Sequence, residues 1–186
     1  GDVNPSGKLP FSFPKKLKDN AAISFGKTSY PGDNLNQSYK EGILVGYRWF
    51  DTKKIEPQYA FGYGLSYSDF KISNIKINKK SYSKKEQIKV TFNVANIGNR
   101  EGSEVVQVYI GKHKSKVKRA LKELKGFKKI SLLKGDKKTI TISIDTSDLA
   151  YYNTEISDWS LEKGTYYLYV GNASNKITKK IKFNLF

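Results

Sequence analysis

The chain has 186 residues, 38% of them hydrophobic, and its 13 Tyr, 10 Phe and 2 Trp supply enough large rings for a real core. Its net charge is +17, from 34 Lys and Arg against 17 Asp and Glu. Residues 1–66 hold nine of those bases and six of the acids, so an excess of 14 positive charges (25 bases less 11 acids) falls in residues 67–186. The absence of cysteine excludes disulfides, thiolate catalysis and zinc–thiolate sites. No run approaches the ~18 apolar residues of a membrane span, and no signal-peptide pattern is visible. Secreted and cytoplasmic locations both stay open. The lack of methionine predicts a chain that begins after processing or was cut from something longer.

In chain order, Asn4-Pro5-Ser6-Gly7 is a turn, and K-L-P-F-S-F (Lys8–Phe13) reads as one short strand before Pro14. Next comes a polar segment with Asn20, Gly26, Pro31, Gly32, Asp33 and Asn34. G-I-L-V-G-Y-R-W-F (Gly42–Phe50) then looks like a buried element. Two short apolar stretches cannot enclose a core, so residues 1–66 are expected to pack on the rest of the chain or on elements outside it. A-F-G-Y-G-L-S-Y (Ala60–Tyr67) interleaves glycine with aromatic rings, which predicts a junction where backbones approach closely and rings fill the contact.

From Phe70 onward apolar and polar residues alternate. The segments Phe70–Ile77, Gln87–Val94, Ser103–Ile110, Glu123–Leu132, Lys137–Ile144, Thr165–Val170 and Lys176–Phe183 each present one face to a core and the other to water. Turn signals separate them at Asn96-Ile97-Gly98-Asn99, Lys134-Gly135-Asp136 and Lys163-Gly164. Seven short strands over about 115 residues predict an immunoglobulin-like or fibronectin-III-like β-sandwich. In K-I-T-K-K-I-K-F the lysines fall at water-facing positions, where they solvate the surface and discourage edge pairing, or bind something anionic.

G-D-V-N-P-S-G-K-L-P-F-S-F-P (Gly1–Pro14), Y-K-E-G-I-L-V-G-Y-R-W-F-D (Tyr39–Asp51) and F-G-Y-G-L-S-Y (Phe61–Tyr67) occur in that order. After them come V-A-N-I-G-N-R-E-G-S-E-V-V-Q-V-Y-I (Val94–Ile110), L-K-E-L-K-G-F-K-K-I (Leu121–Ile130) and L-E-K-G-T-Y-Y-L-Y-V-G (Leu161–Gly171). Together they span essentially the whole chain, which resembles the C-terminal part of a family 3 glycoside hydrolase, the group that contains many β-glucosidases and β-xylosidases. The resemblance implies a parent with an N-terminal (β/α)8-type barrel, an α/β sandwich domain and a fibronectin-III-like domain. The expected fold is therefore mainly β: residues 1–66 as an incomplete C-terminal piece of the α/β sandwich domain, and residues 67–186 as a complete seven-stranded fibronectin-III-like sandwich.

Such enzymes retain anomeric configuration with two carboxylates, a nucleophile and an acid/base. I-S-D-W-S places Asp158 in a Ser-Asp-Trp sequence similar to the family's nucleophile motif, but just before the penultimate strand of the sandwich, where the family has no barrel. Asp158 is expected to serve turn chemistry, and Trp159 to lie in the core or at a hydrogen-bonded edge. Glu41 is the best carboxylate in the family-like stub and is expected to pair with Arg48. Tyr47, Arg48, Trp49 and Phe50 would line the complete enzyme's cleft or pack against elements outside the chain. The resemblance puts both catalytic carboxylates upstream, so no catalytic, cofactor-binding or metal residue is assigned here.

Other chemistries fail on the residues themselves. His113 is the single histidine, set among lysines, and supports neither a triad nor a metal cluster. Gly62-Tyr63-Gly64 lacks the third glycine and the helix of a dinucleotide site. Asn172-Ala173-Ser174 formally matches a glycosylation acceptor. Two rival roles stay open. Lys112–Lys129 holds nine Lys and Arg plus His113 against one acid, Glu123, a stretch suited to anionic polysaccharide, wall polymer or nucleic acid. The lack of interleaved aromatics between Lys112 and Lys125 disfavours nucleic acid. Alternatively the chain assembles with a separate polypeptide that carries the barrel. An exposed patch at Ile43, Val45, Trp49 and Phe50 would mark that interface. Within the resemblance, its partners are the upstream barrel and α/β domains, and a β-glycoside is bound only by the complete enzyme.

Overall fold

The computed structural model describes residues 1–186. All seven predicted strands are present as β1 (Phe70–Ile77), β3 (Gln87–Asn96), β4 (Gly102–Lys112), β5 (Glu123–Leu132), β6 (Lys137–Asp145), β9 (Gly164–Ala173) and β10 (Lys176–Leu185). Three shorter ones were not legible in the sequence: β2 (Ser81–Tyr82), β7 (Tyr151–Asn153) and β8 (Asp158–Ser160). Two or three residues are too few to show an alternation. The sandwich packs a three-stranded sheet, β1-β3-β6, on a five-stranded one, β2-β10-β9-β4-β5. β2 pairs parallel with β10, whereas the other pairs in both sheets are antiparallel.

The alternation explains the core directly. On β3, Ile88, Val90, Phe92 and Val94 are fully buried, while Lys89 between them is exposed. They meet Val106, Val108 and Ile110 of β4 and Tyr166, Leu168 and Val170 of β9 in one cluster of 19 buried residues. Each such side chain contributes about 1.5–3 kcal/mol when removed from water. Tyr82 is drawn in because β2 lies against β10. Its ring meets Phe183 edge-on, and its hydroxyl donates to Asn78 Oδ1 at 2.7 Å. The Asn96–Asn99 turn is fixed by a buried amide. Asn96 Oδ1 accepts from the Ser68 hydroxyl (2.7 Å) and its Nδ2 donates to the carbonyls of Arg100 (2.7 Å) and Leu132 (3.2 Å).

Residues 1–66 wrap the outer face of the five-stranded sheet. Leu9–Phe13 runs antiparallel to Gln58–Tyr63 through backbone hydrogen bonds that include Leu9 N–H to Tyr63 O, Gly62 N–H to Leu9 O, Phe13 N–H to Tyr59 O and Gln58 N–H to Phe13 O, each 2.8 Å. A one-turn helix α1 (Ala21–Ser24) lies in the polar segment and a two-turn helix α2 (Tyr47–Lys53) in the apolar one. α2 buries Tyr47, Trp49 and Phe50. Trp49, Phe50, Leu44 and Ala21 form a second small cluster, completed by Ala120 from the β4–β5 connection. The buried apolar residues of the stub thus pack mainly on one another, with Ala120 and Tyr109 as contacts from the sandwich, while Ile43 and Val45 stay exposed.

The glycines of the Ala60–Tyr67 stretch sit at close approaches to remote segments. A Cβ on Gly62 (φ +85°) would overlap the Gln107 side-chain amide and press on the Ala173 backbone. One on Gly64 would overlap the Gly7 carbonyl oxygen. The rings beside the glycines divide: Phe61 packs on Tyr47 (4.9 Å between centroids), whereas Tyr63 lies against Tyr59 (4.8 Å).

Candidate functional site

A concavity of 1340 Å³ opens where the stub meets the sandwich. One wall is the turn before α2 and its first residues, Ile43, Val45 and Arg48. The opposite wall is the β7–β8 hairpin with Tyr151, Tyr152, Asp158 and Trp159, and the floor is the β4–β5 segment with Lys118, Arg119, Glu123 and Lys125. The hairpin stands off the sandwich because Tyr151–Asn153 pairs only with Asp158–Ser160. Its turn needs a left-handed residue, and Ser157 supplies it at φ +50°.

Arg119 organises the floor. Its guanidinium donates to the Leu149 carbonyl at 2.9 Å and lies 3.6 Å from Glu123 and 3.7 Å from Glu162. Burial pushes the Glu123 carboxyl up, but Lys125, Arg119 and Arg48 together outweigh it and hold the group below the usual range. Glu162 behaves alike: burial is opposed by hydrogen bonds from Ser115 Oγ (2.5 Å) and the Lys116 N–H (2.9 Å) and by Lys112 and Arg119, and the balance lies low. Both carboxylates are therefore fixed as anions. A general acid for glycoside cleavage needs the opposite, a carboxyl that keeps its proton near neutrality. The carboxyl that is raised is Asp51, pushed up by burial against its Lys122 partner. It belongs to an ion pair between α2 and the sandwich, outside the cleft.

Of the residues singled out in the sequence, Asp158 lines the cleft and its Oδ1 accepts from the Trp159 N–H at 2.7 Å. Trp159 is exposed, not in the core, because no sheet covers its three-residue strand; its ring meets Tyr152 edge-on at 5.8 Å. The expected Glu41–Arg48 ion pair does not form. Gly42 and Gly46, both at positive φ, turn the chain between the two residues, and Arg48 lies over the Tyr47 ring and acts on Glu123. Glu41 is buried, with Lys118 Nζ at 3.4 Å from its carbonyl oxygen. The expected patch is divided too: Ile43 and Val45 are exposed, Trp49 and Phe50 buried.

His113 is exposed and edge-on to Tyr167. Asn172 donates to Glu104 at 3.0 Å, and Ser174 is buried, so the glycosylation-like triplet is committed to packing. The basic run Lys112–Lys129 is divided between inward and outward side chains. Lys122 pairs with Asp51 at 2.6 Å, Lys125 reaches Glu123 (3.1 Å) and the Asp148 carbonyl (2.7 Å), and Lys112 lies over Tyr166. A charge count along the chain cannot separate these from the exposed Lys114, Lys116, Lys118, Lys128 and Lys129. Sequence reasoning missed Tyr152, Glu162 and the central role of Arg119. The near-symmetric Y-Y-N-T-E-I-S-D-W-S was the available sign of a hairpin.

Comparison with known proteins accounts for this architecture. Residues 104–174 match the fibronectin type III-like domain family. Over 97% of the chain, the sequence is 46% identical to the thermostable β-glucosidase B of Acetivibrio thermocellus, of which it spans 23%. The chain corresponds to the C-terminal part of family 3 glycoside hydrolases. It is also 37% identical, over 97% of its length, to an exo-α-(1→6)-L-arabinopyranosidase of Bifidobacterium breve, again covering 23% of that protein. Among solved structures, the whole chain superposes with a TM-score of 0.91 and 38% identity on 24% of the β-glucosidase DesR of Streptomyces venezuelae, a structure in complex with D-glucose. The chain thus spans about a quarter of the length of the relatives it matches.

Proposed function

We propose that the chain is the structural C-terminal portion of a glycosidase that removes terminal β-linked sugars by a retaining two-carboxylate mechanism, and that it is inactive by itself. In this reading residues 1–66 are the tail of the α/β sandwich domain, residues 67–186 are the fibronectin-III-like domain, and the upstream barrel and α/β domains are its partners. The observation that carries the proposal is that nearly the whole chain matches a quarter of much longer β-glucosidases. The cleft supports it. Glu123 and Glu162 are tied to Arg119 as anions, so neither is prepared to donate a proton. The stub serves as the fastener, tying α2 to the β4–β5 segment by Asp51–Lys122, by the Tyr47 hydroxyl, which accepts from Leu124 N–H at 2.8 Å, and by Thr52 Oγ1, which accepts from Leu121 N–H at 2.9 Å.

The test is a panel of chromogenic glycosides given to this chain and to the complete polypeptide. The panel includes β-glucosides, β-xylosides and α-L-arabinopyranosides, because the relatives carry more than one specificity. We expect release only by the complete polypeptide, with β-glucoside the preferred substrate. Release by the 186-residue chain that is abolished by Asp158→Asn or Glu41→Gln would overturn the proposal.

A further inference from the structure

We propose that the rim of the cleft formed by Ile43, Val45, Tyr152 and Trp159 is the surface on which the upstream part of the same polypeptide docks, an inference that rests on the glycosidase reading. These four apolar side chains, from opposite walls of one concavity, are 51%, 57%, 52% and 64% exposed. A grouped apolar rim around a groove is the mark of an interaction surface, in contrast to scattered surface residues. Trp159 and Tyr152 hold each other edge-on, interplanar angle 83°, so the rings are set before a partner arrives. The same T-shape leaves no flat two-ring platform for stacking on a sugar.

The charges around the rim are divided. Arg48 lines the stub wall of the cleft, Lys118 its floor, and Asp158 and Glu155 its hairpin wall, and none of the four is in an ion pair. The partner that fits is a ridge of aliphatic or aromatic side chains, with acids facing Arg48 and Lys118 and bases facing Asp158 and Glu155. The upstream polypeptide is the occupant to expect, because in the relatives about three quarters of the chain lies outside this segment and has to be accommodated against it. The rim takes one wall from the stub and the other from the sandwich, so a single docked element would clamp both.

Hydroxyl-radical footprinting with mass spectrometry, on the 186-residue chain and the complete polypeptide side by side, tests this. Trp159 and Tyr152 should be labelled about fivefold less in the complete polypeptide, as expected when an exposed ring becomes core-like. Trp49, already buried, should be protected in both. Equal labelling of Trp159 in the two proteins overturns the proposal. So does protection of Trp159 in the 186-residue chain accompanied by a dimeric mass, which assigns the rim to a second copy. As a second measure, Trp159→Ser with Ile43→Ser should move the Tm of the 186-residue chain by less than about 2 °C and that of the complete polypeptide by several degrees more. Equal shifts also overturn it. The glycoside panel keeps the two readings apart. Hydrolysis by the complete polypeptide with Trp159 still labelled sinks the docking surface alone, and protection without hydrolysis sinks the glycosidase reading alone.

Discussion

Replacing Asp51 by alanine isolates the contact that fastens the stub to the sandwich. The carboxylate lies 2.6 Å from Lys122 Nζ, and the two side chains are 12% and 6% exposed. Burial pushes the Asp51 carboxyl up even with the ammonium beside it, so desolvation exceeds what the pair returns. Removing only the acid strands a buried ammonium, a change that costs about 3–5 kcal/mol. The rings of Tyr109 and Tyr169, 5.6 Å and 5.9 Å from Lys122 Nζ, face the same cation and recover about 0.5–1 kcal/mol each. The expected loss is therefore about 3 kcal/mol, or roughly 6–12 °C in Tm for a chain of this size. Replacing both partners, Asp51→Leu with Lys122→Met, removes the charge and keeps the volume, and should come within about 1 kcal/mol of the parent. Urea unfolding followed by Trp49 fluorescence for the stub and by far-ultraviolet circular dichroism for the sandwich measures both variants. An Asp51→Ala loss below about 1 kcal/mol, or a double variant no more stable than the single one, would refute the reasoning.

Other changes probe the close approaches, the core and the acid groups. Gly64→Ala should cost about 1–3 kcal/mol because its Cβ meets the Gly7 carbonyl, whereas Gly7→Ala, with open space around it, should stay within about 0.5 kcal/mol. Equal effects in thermal melts would remove close approach as the reason for the glycine. Phe92→Ala should destabilise by about 3–5 kcal/mol and the exposed Phe127→Ala by less than about 0.5 kcal/mol, a contrast that denaturant midpoints would resolve. Glu123 and Glu162 are held low in the folded state, so their contribution is present above the ordinary glutamate pKa and is lost as pH falls through their folded values. Tm should accordingly drop on acidification below the ordinary glutamate range, and less steeply in Glu162→Gln; a Tm that does not change with pH would contradict the ion-pair account of the cleft floor.

By itself the sequence determined what depends on near neighbours. Period-two alternation placed all seven long strands, since a side chain's face in a strand is set by its parity alone. The glycines of Ala60–Tyr67 announced a close approach, although the partners, Gln107 and Gly7, lie far off along the chain. The ordered motifs pointed to the family. Tertiary structure alone decided what depends on distant partners. Lys122 and Lys125 look like any surface lysine until Asp51 and Asp148 are folded against them. Trp49 is buried because Ala120 closes the stub cluster, and Trp159 is exposed because its hairpin leaves the sandwich. Glu41 and Arg48 are seven positions apart, yet two left-handed glycines between them send one side chain into the packing and the other to the cleft. Local periodicity carries the alternation of faces, and only the packing of remote segments carries the pairing of charges and the shape of a cleft.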